Sequence, residues 1–155
     1  MDMLMALALS IGVLIAVWVK VGPMVFGSLA IAVPAGIVAW ACFFAAGGKT
    51  TGLQKTVAAN VSGVVWVWIA MTLIGALQMS NLAFVFVGVV AFILVLQSKV
   101  GLLSFIPGAF CGAAITAASG ASDVKSYLMV ALAMIAGAIL GYVSEMAGGM
   151  LAKKA

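Results

Sequence analysis

Ten side chains carry charge, and they limit the available chemistry. They are Asp2, Lys20, Lys49, Lys55, Lys99, Asp123, Lys125, Glu145, Lys153 and Lys154, and there is no His and no Arg. With no imidazole and only three acids, no transition-metal site is expected within one chain, and no cofactor. A Ser/His/Asp or Cys/His nucleophilic arrangement cannot be assembled either. Gly47-Gly48-Lys49-Thr50 ends like a phosphate-binding loop, but the first glycine of that pattern and a preceding strand are missing. It reads as a polar turn. Cys42 and Cys111 lie in apolar stretches and read as small buried residues. An enzyme and an ATP-driven pump are therefore not expected.

Two polar groups inside apolar segments stand out. Glu145 precedes Lys153 by eight residues, about 12 Å along a helix. That places it near the edge of a membrane core. It can be an interfacial carboxylate paired with Lys49, Lys55 or Lys99, or a coupling group in a cytoplasmic vestibule. Asn60 lies five residues beyond Lys55, about 7–8 Å deeper, on a stripe with Thr56 and Gly63. Its amide needs partners there, from another helix or from a solute. Trp18, Trp40, Trp66 and Trp68 read mainly as interfacial or packing residues.

The elements that must position these groups follow from composition. The 155 residues are 67% hydrophobic and 6% charged, against roughly 25% charged in soluble proteins. So few charges cannot cover a water-facing surface, and so much apolar surface cannot stay disordered. The chain reads as all-α, a polytopic membrane protein forming a single transmembrane domain over 1–155. A helix needs about 20 apolar residues to cross the bilayer. Charges and turn residues divide the chain into six spans, about 4–19, 24–46, 56–77, 82–96, 100–118 and 126–151. The first has no basic segment before it and reads as a retained helix rather than a cleaved signal. Six spans put Lys49, Lys55, Lys99, Lys153 and Lys154 on the side of both termini and leave Lys20 and Lys125 opposite. The positive-inside rule makes the first side cytoplasmic. A re-entrant fifth span would weaken that lysine bias. The net charge of +4 reflects these loops, and no nucleic-acid partner is expected.

Lys20-Val21-Gly22 recurs as Lys99-Val100-Gly101, and each is followed by a span with a proline beside a glycine: Pro34 near Gly36, and Pro107 next to Gly108. The pattern suggests a 3+3 inverted repeat, an arrangement of transporters whose Gly/Pro-interrupted segments mark the binding site. A proline inside a helix frees a carbonyl, which then needs a partner or water. Small residues recur at four-residue spacing at Gly108, Gly112, Thr116 and Gly120, at Ala133, Gly137 and Gly141, and at Ser28, Ala32 and Gly36. Such stripes let helices approach closely, within one chain or across a homo-oligomer.

Phe105-Ile106-Pro107-Gly108-Ala109-Phe110-Cys111-Gly112 and Gly141-Tyr142-Val143-Ser144-Glu145 make the sequence similar to the YcdZ-like family of small bacterial inner-membrane proteins of unknown function. The resemblance implies a multi-span helical protein of the bacterial inner membrane. It implies no substrate and no site residue.

The expected function is a small-solute channel or secondary transporter, homo-oligomeric in the lipid bilayer, for a neutral or weakly charged permeant. Pro34, Asn60, Pro107, Gly108 and Thr116 are the expected pathway residues. Lys55 and Glu145 are expected at the cytoplasmic mouth, and Gly112, Gly137 and Gly141 as helix-packing positions. The alternative is a non-transporting scaffold or accessory subunit with a dry interior.

Overall fold

The computed structural model describes residues 2–26 and 31–152. They form six α-helices: α1 (Met3–Phe26), α2 (Ala32–Ala45), α3 (Lys49–Ala76), α4 (Ala83–Leu96), α5 (Ile106–Ala118) and α6 (Val124–Ala152). Short 3-10 turns at Ser80–Leu82, Gln97–Lys99 and Gly101–Leu103 flank α4. No strand occurs among the described residues. The all-helical membrane architecture agrees with the sequence, since long uninterrupted apolar runs satisfy their backbone in a bilayer only as helices or closed barrels. Four segments are long and apolar enough to cross: Met3–Phe26, Lys49–Ala76, Ser80–Lys99 and Val124–Ala152. Helices α2 and α5 have 14 and 13 residues. At 1.5 Å per residue each spans about 20 Å, short of the roughly 30 Å core.

Local signals fix several helix ends. The Asp2 carboxylate accepts the Met5 N–H at 2.9 Å and opens α1. At the start of α6, Asp123 Oδ1 accepts the Ser126 N–H at 3.0 Å, while the Ser126 hydroxyl accepts the Asp123 N–H at 3.2 Å and also donates to the carboxylate. The Ser126 hydroxyl, then its N–H, hold the Asp123 carboxyl below the usual carboxylate range.

Other boundaries differ from expectation. Helix α1 runs on through Lys20-Val21-Gly22-Pro23 to Phe26. Pro23 sits in its last turn, where a missing N–H costs a single bond, and exposed Lys20 extends from the helix side. Helix α3 takes up the polar stretch from Lys49 onward. Pro34 is the third residue of α2 and Pro107 the second of α5. First-turn N–H groups have no intrahelical acceptor, so neither proline introduces a break inside its described helix. Ser28 lies outside the described residues, as do Lys153 and Lys154.

Helices α3 and α6 form the centre, and the two short helices clamp onto them. Gly137 of α6 meets α2 so closely that an added Cβ would stand 2.0 Å from the Gly36 carbonyl oxygen. Gly112 of α5 meets α3 in the same way, 2.0 Å from the Asn60 carbonyl oxygen, and a Cβ on Gly63 would stand 2.2 Å from that of Ala109. Gly141 lies under the Phe43 ring. The small-residue stripes thus pack helices within one chain. Gly120 is the exception: it follows α5 with φ +67°, exposed, as a helix-ending residue.

Helix α1 packs along α6 in antiparallel register. Ser10 Oγ donates to the Ser144 carbonyl at 2.8 Å, and Gly148 abuts Leu7. The start of α1 and the end of α6 therefore share one end of the bundle. Across the α4–α5 connection, Gln97 accepts the Trp66 Nε1–H at 3.1 Å and donates to Ser62 Oγ at 2.8 Å. Ser62 and Trp66 lie near the middle of α3, so the turn after α4 docks there and not at an end of α3. The rest of α4 is peripheral, with Leu94 its one buried residue.

Candidate functional site

The most unusual polar groups lie at the α3–α5 crossing. Asn60 is 1% exposed and Thr56 fully buried. They sit one turn apart on the inward face of α3, with Gly52, Ala59, Gly63 and Val64. The face is dictated by small residues at three- and four-residue spacing, which bring α5 onto the α3 backbone. Asn60 Oδ1, Asn60 Nδ2 and Thr56 Oγ1 find no hydrogen-bond partner among the described protein groups. Among the described residues they are the buried side-chain polar atoms left in that state. Each unsatisfied group costs about 1–3 kcal/mol. An arrangement that holds three of them on one turn calls for a partner such as water or a solute.

Other expected site residues separate into groups. Thr116 is buried on α5 and donates to the Gly112 carbonyl at 2.7 Å, so its hydroxyl is satisfied by its own helix. Gly108 is buried between the Phe105 ring and Ala59 of α3. These two, Gly112 and Asn60 share the α3–α5 contact. Pro34 and Pro107 do not join them; both are exposed on the bundle's outer surface. Lys55 is half-buried on α3, one residue before Thr56.

Glu145 has a partner the sequence did not reveal. Its Oε2 accepts the backbone N–H of Lys49 at 2.7 Å, the first residue of α3. The chain reaches that point through Gly47, Gly48 and Lys49, all with positive φ. The φ of +67° favours glycine at position 48, and an added Cβ, 2.6 Å from Glu145 Oε1, would push the carboxylate aside. The carboxylate thereby caps α3 and faces the positive end of its dipole. The expected lysine pairing is replaced by a backbone contact.

Two further polar networks escaped sequence reasoning. Trp40 Nε1 donates to Ser144 Oγ at 3.0 Å, which in turn donates to the Gly141 carbonyl at 2.7 Å. The Trp66–Gln97–Ser62 chain is the second. The available signal was a lone Ser or Gln in an apolar run, which must find a partner, but the partners lie 104, 31 and 35 residues away.

Residues 8–149 match the family described as Protein of unknown function (DUF1097). The chain belongs to this family. The inner membrane protein YcdZ of Escherichia coli strain K12 is 35% identical over 99% of this chain and 91% of its own length. Its Salmonella typhimurium counterpart is 32% identical over 99% and 92%. The uncharacterized protein YahC of Escherichia coli strain K12 is 35% identical over 76% of this chain and 73% of its own length. No solved structure matches this chain. The inner-membrane relatives and the apolar helices make this DUF1097 member a multi-pass inner-membrane protein in contact with the lipid bilayer.

Proposed function

We propose that the protein is a small-solute channel or secondary transporter for a neutral or weakly charged permeant. The observation that carries this reading is the unpartnered amide of Asn60, fully buried with the Thr56 hydroxyl. Together they offer N–H and O–H donors and two oxygen acceptors, suited to a small molecule that both donates and accepts hydrogen bonds. No charged side chain accompanies them on the inward face of α3, which favours a permeant without full charge.

The pathway is assigned to the α3–α5 contact, with Asn60 orienting the solute and Gly108 and Thr116 beside it. The outward placement of Pro34 and Pro107 supports leaving them out. Lys55 and Glu145 are assigned to the cytoplasmic mouth. The 3+3 repeat is supported by α2 and α5, each too short to cross, standing second in each half, and by the crossed clamps of α2 on α6 and α5 on α3. Cytoplasmic termini rest on the lysine distribution. A homo-oligomer would cover exposed α4 residues such as Phe84, Val87 and Phe92.

The scaffold reading has one observation in its favour. The glycine contacts close the helix crossings backbone to backbone, as a dry packing core would. Stopped-flow light scattering on proteoliposomes decides between the two, using small neutral and weakly charged compounds. Transport predicts flux of at least one compound above the protein-free rate, abolished by Asn60→Leu with the protein still folded. Flux unchanged in Asn60→Leu removes Asn60 from the pathway. Protein-free rates across the panel, with Cys probes at positions 56 and 108 closed to water-soluble thiol reagents, favour the scaffold.

A further inference from the structure

Three methionines converge at the end of the bundle where α1 begins and α6 finishes. Met146 and Met150 are four residues apart on α6, so their side chains share a face. Met3 opens α1. The antiparallel register set by Ser10 on Ser144 and Leu7 on Gly148 carries Met3, one turn before Leu7, to the level of Met150. All three line one open hollow of about 560 Å³, together with Lys49, Thr50, Tyr142, Glu145 and Gly149. Their side chains are 50–60% exposed, so the sulfurs are not committed to the core.

We propose that this hollow binds a soft monovalent cation, Cu(I) or Ag(I), through the thioethers of Met3, Met146 and Met150. Thioethers are neutral and polarizable, and they select Cu(I)-type ions over hard cations such as Mg²⁺ or Ca²⁺, which require oxygen ligands. Among the described residues, the charged groups lining the hollow are Lys49 and Glu145, one of each sign. Their charges offset, so the site does not gather divalent cations by field alone. The Glu145 carboxylate already accepts the Lys49 N–H and stands as a counter-charge beside the thioethers. Binding forms three sulfur–metal bonds, displaces water from the ion, and releases no proton, because a thioether has none to lose. No metal site was expected because imidazole is absent and carboxylates are few; thioethers are a different donor class.

The test is a titration of the full-length protein in detergent with silver nitrate, in nitrate buffer, followed by NMR of ¹³C-methyl methionine. The chain has ten methionines, and single Met→Leu substitutions assign their signals. The site predicts that the Met3, Met146 and Met150 methyls shift together and saturate at one silver ion. Met146→Leu or Met150→Leu should weaken binding about tenfold or more, since a direct ligand matters at least as much as an outer-shell one. Leucine is a close volume match for methionine, and circular dichroism confirms folding. A Cys42→Ala/Cys111→Ala protein removes silver capture by thiols and should show the same three shifts. The proposal fails if those three methyls stay still, or if exposed methionines elsewhere, such as Met24 and Met71, shift equally. Asn60→Leu should leave the titration unchanged, so this outcome is separate from the solute pathway.

Discussion

Substituting Gly137 by alanine tests the clamp that holds α2 on α6. The added Cβ would stand 2.0 Å from the Gly36 carbonyl oxygen and 2.5 Å from its carbonyl carbon and Cα. These are backbone atoms, so no side-chain rotation relieves the clash. Ordinary contact begins at 3.4 Å, so the two helices must part locally by about 1.4 Å. A gap of 0.5–1 Å already forfeits roughly a quarter to a half of each atom pair's attraction. Overpacking of this kind costs about 1–3 kcal/mol, and rigid atoms on both sides place Gly137→Ala near 3. A control removes the helix-propensity effect. Gly12, in α1, has nothing within 4 Å of an added Cβ, and Gly12→Ala gains about 1 kcal/mol of propensity. Gly137→Ala gains the same, so the two variants should differ by the clash alone. About 3 kcal/mol is a ratio of roughly 150 in the unfolding equilibrium. The assay is equilibrium unfolding in mixed micelles with a rising fraction of dodecyl sulfate, followed by tryptophan fluorescence. Equal midpoints for Gly137→Ala and Gly12→Ala would refute the close-contact account of the α2–α6 interface.

Two further outcomes follow from single polar groups. The Asp123 carboxyl is held low by Ser126, so its contribution is present above the unfolded-state value near pH 4 and is lost as pH falls through the lower folded value. Melting curves should therefore show an acid-side loss of stability below about pH 4 that is smaller in Asp123→Asn; identical pH profiles would remove the cap from the account. Thr56→Val keeps the side-chain shape and deletes a buried hydroxyl without a partner, so in solute-free detergent it should stabilise by about 1 kcal/mol or more. A lower melting temperature would mean that the hydroxyl is satisfied in the native protein.

The membrane class was legible from composition, 67% hydrophobic and 6% charged, and the helical fold from apolar runs that continue without the alternation a barrel strand needs. Small-residue spacing identified Gly112, Gly137 and Gly141 as packing positions, since the absence of a side chain is itself the local condition for close approach. Asn60 was visible as a polar residue in an apolar run. Which helix each glycine meets was not legible: spacing defines a face but not its partner, and the pairing of α2 with α6 and α5 with α3 is a tertiary outcome. The prolines were misread as interior because apolar residues continue on both sides of them. The chain instead starts helices at Ala32 and Ile106, where a proline in the first turn loses no bond. Glu145 was read against lysine side chains, the nearest charges in composition. Only the folded turn at Gly47–Lys49 delivers a backbone N–H to it. Likewise, Met3 and Met150 stand at opposite ends of the sequence, and the antiparallel packing of α1 on α6 brings them to one hollow. The sequence by itself determined solvent, secondary structure and the faces available for contact, all of which depend on residues within a few turns of each other. The tertiary structure decided which faces meet and which polar atoms are left without partners, because those depend on groups tens to more than a hundred residues apart.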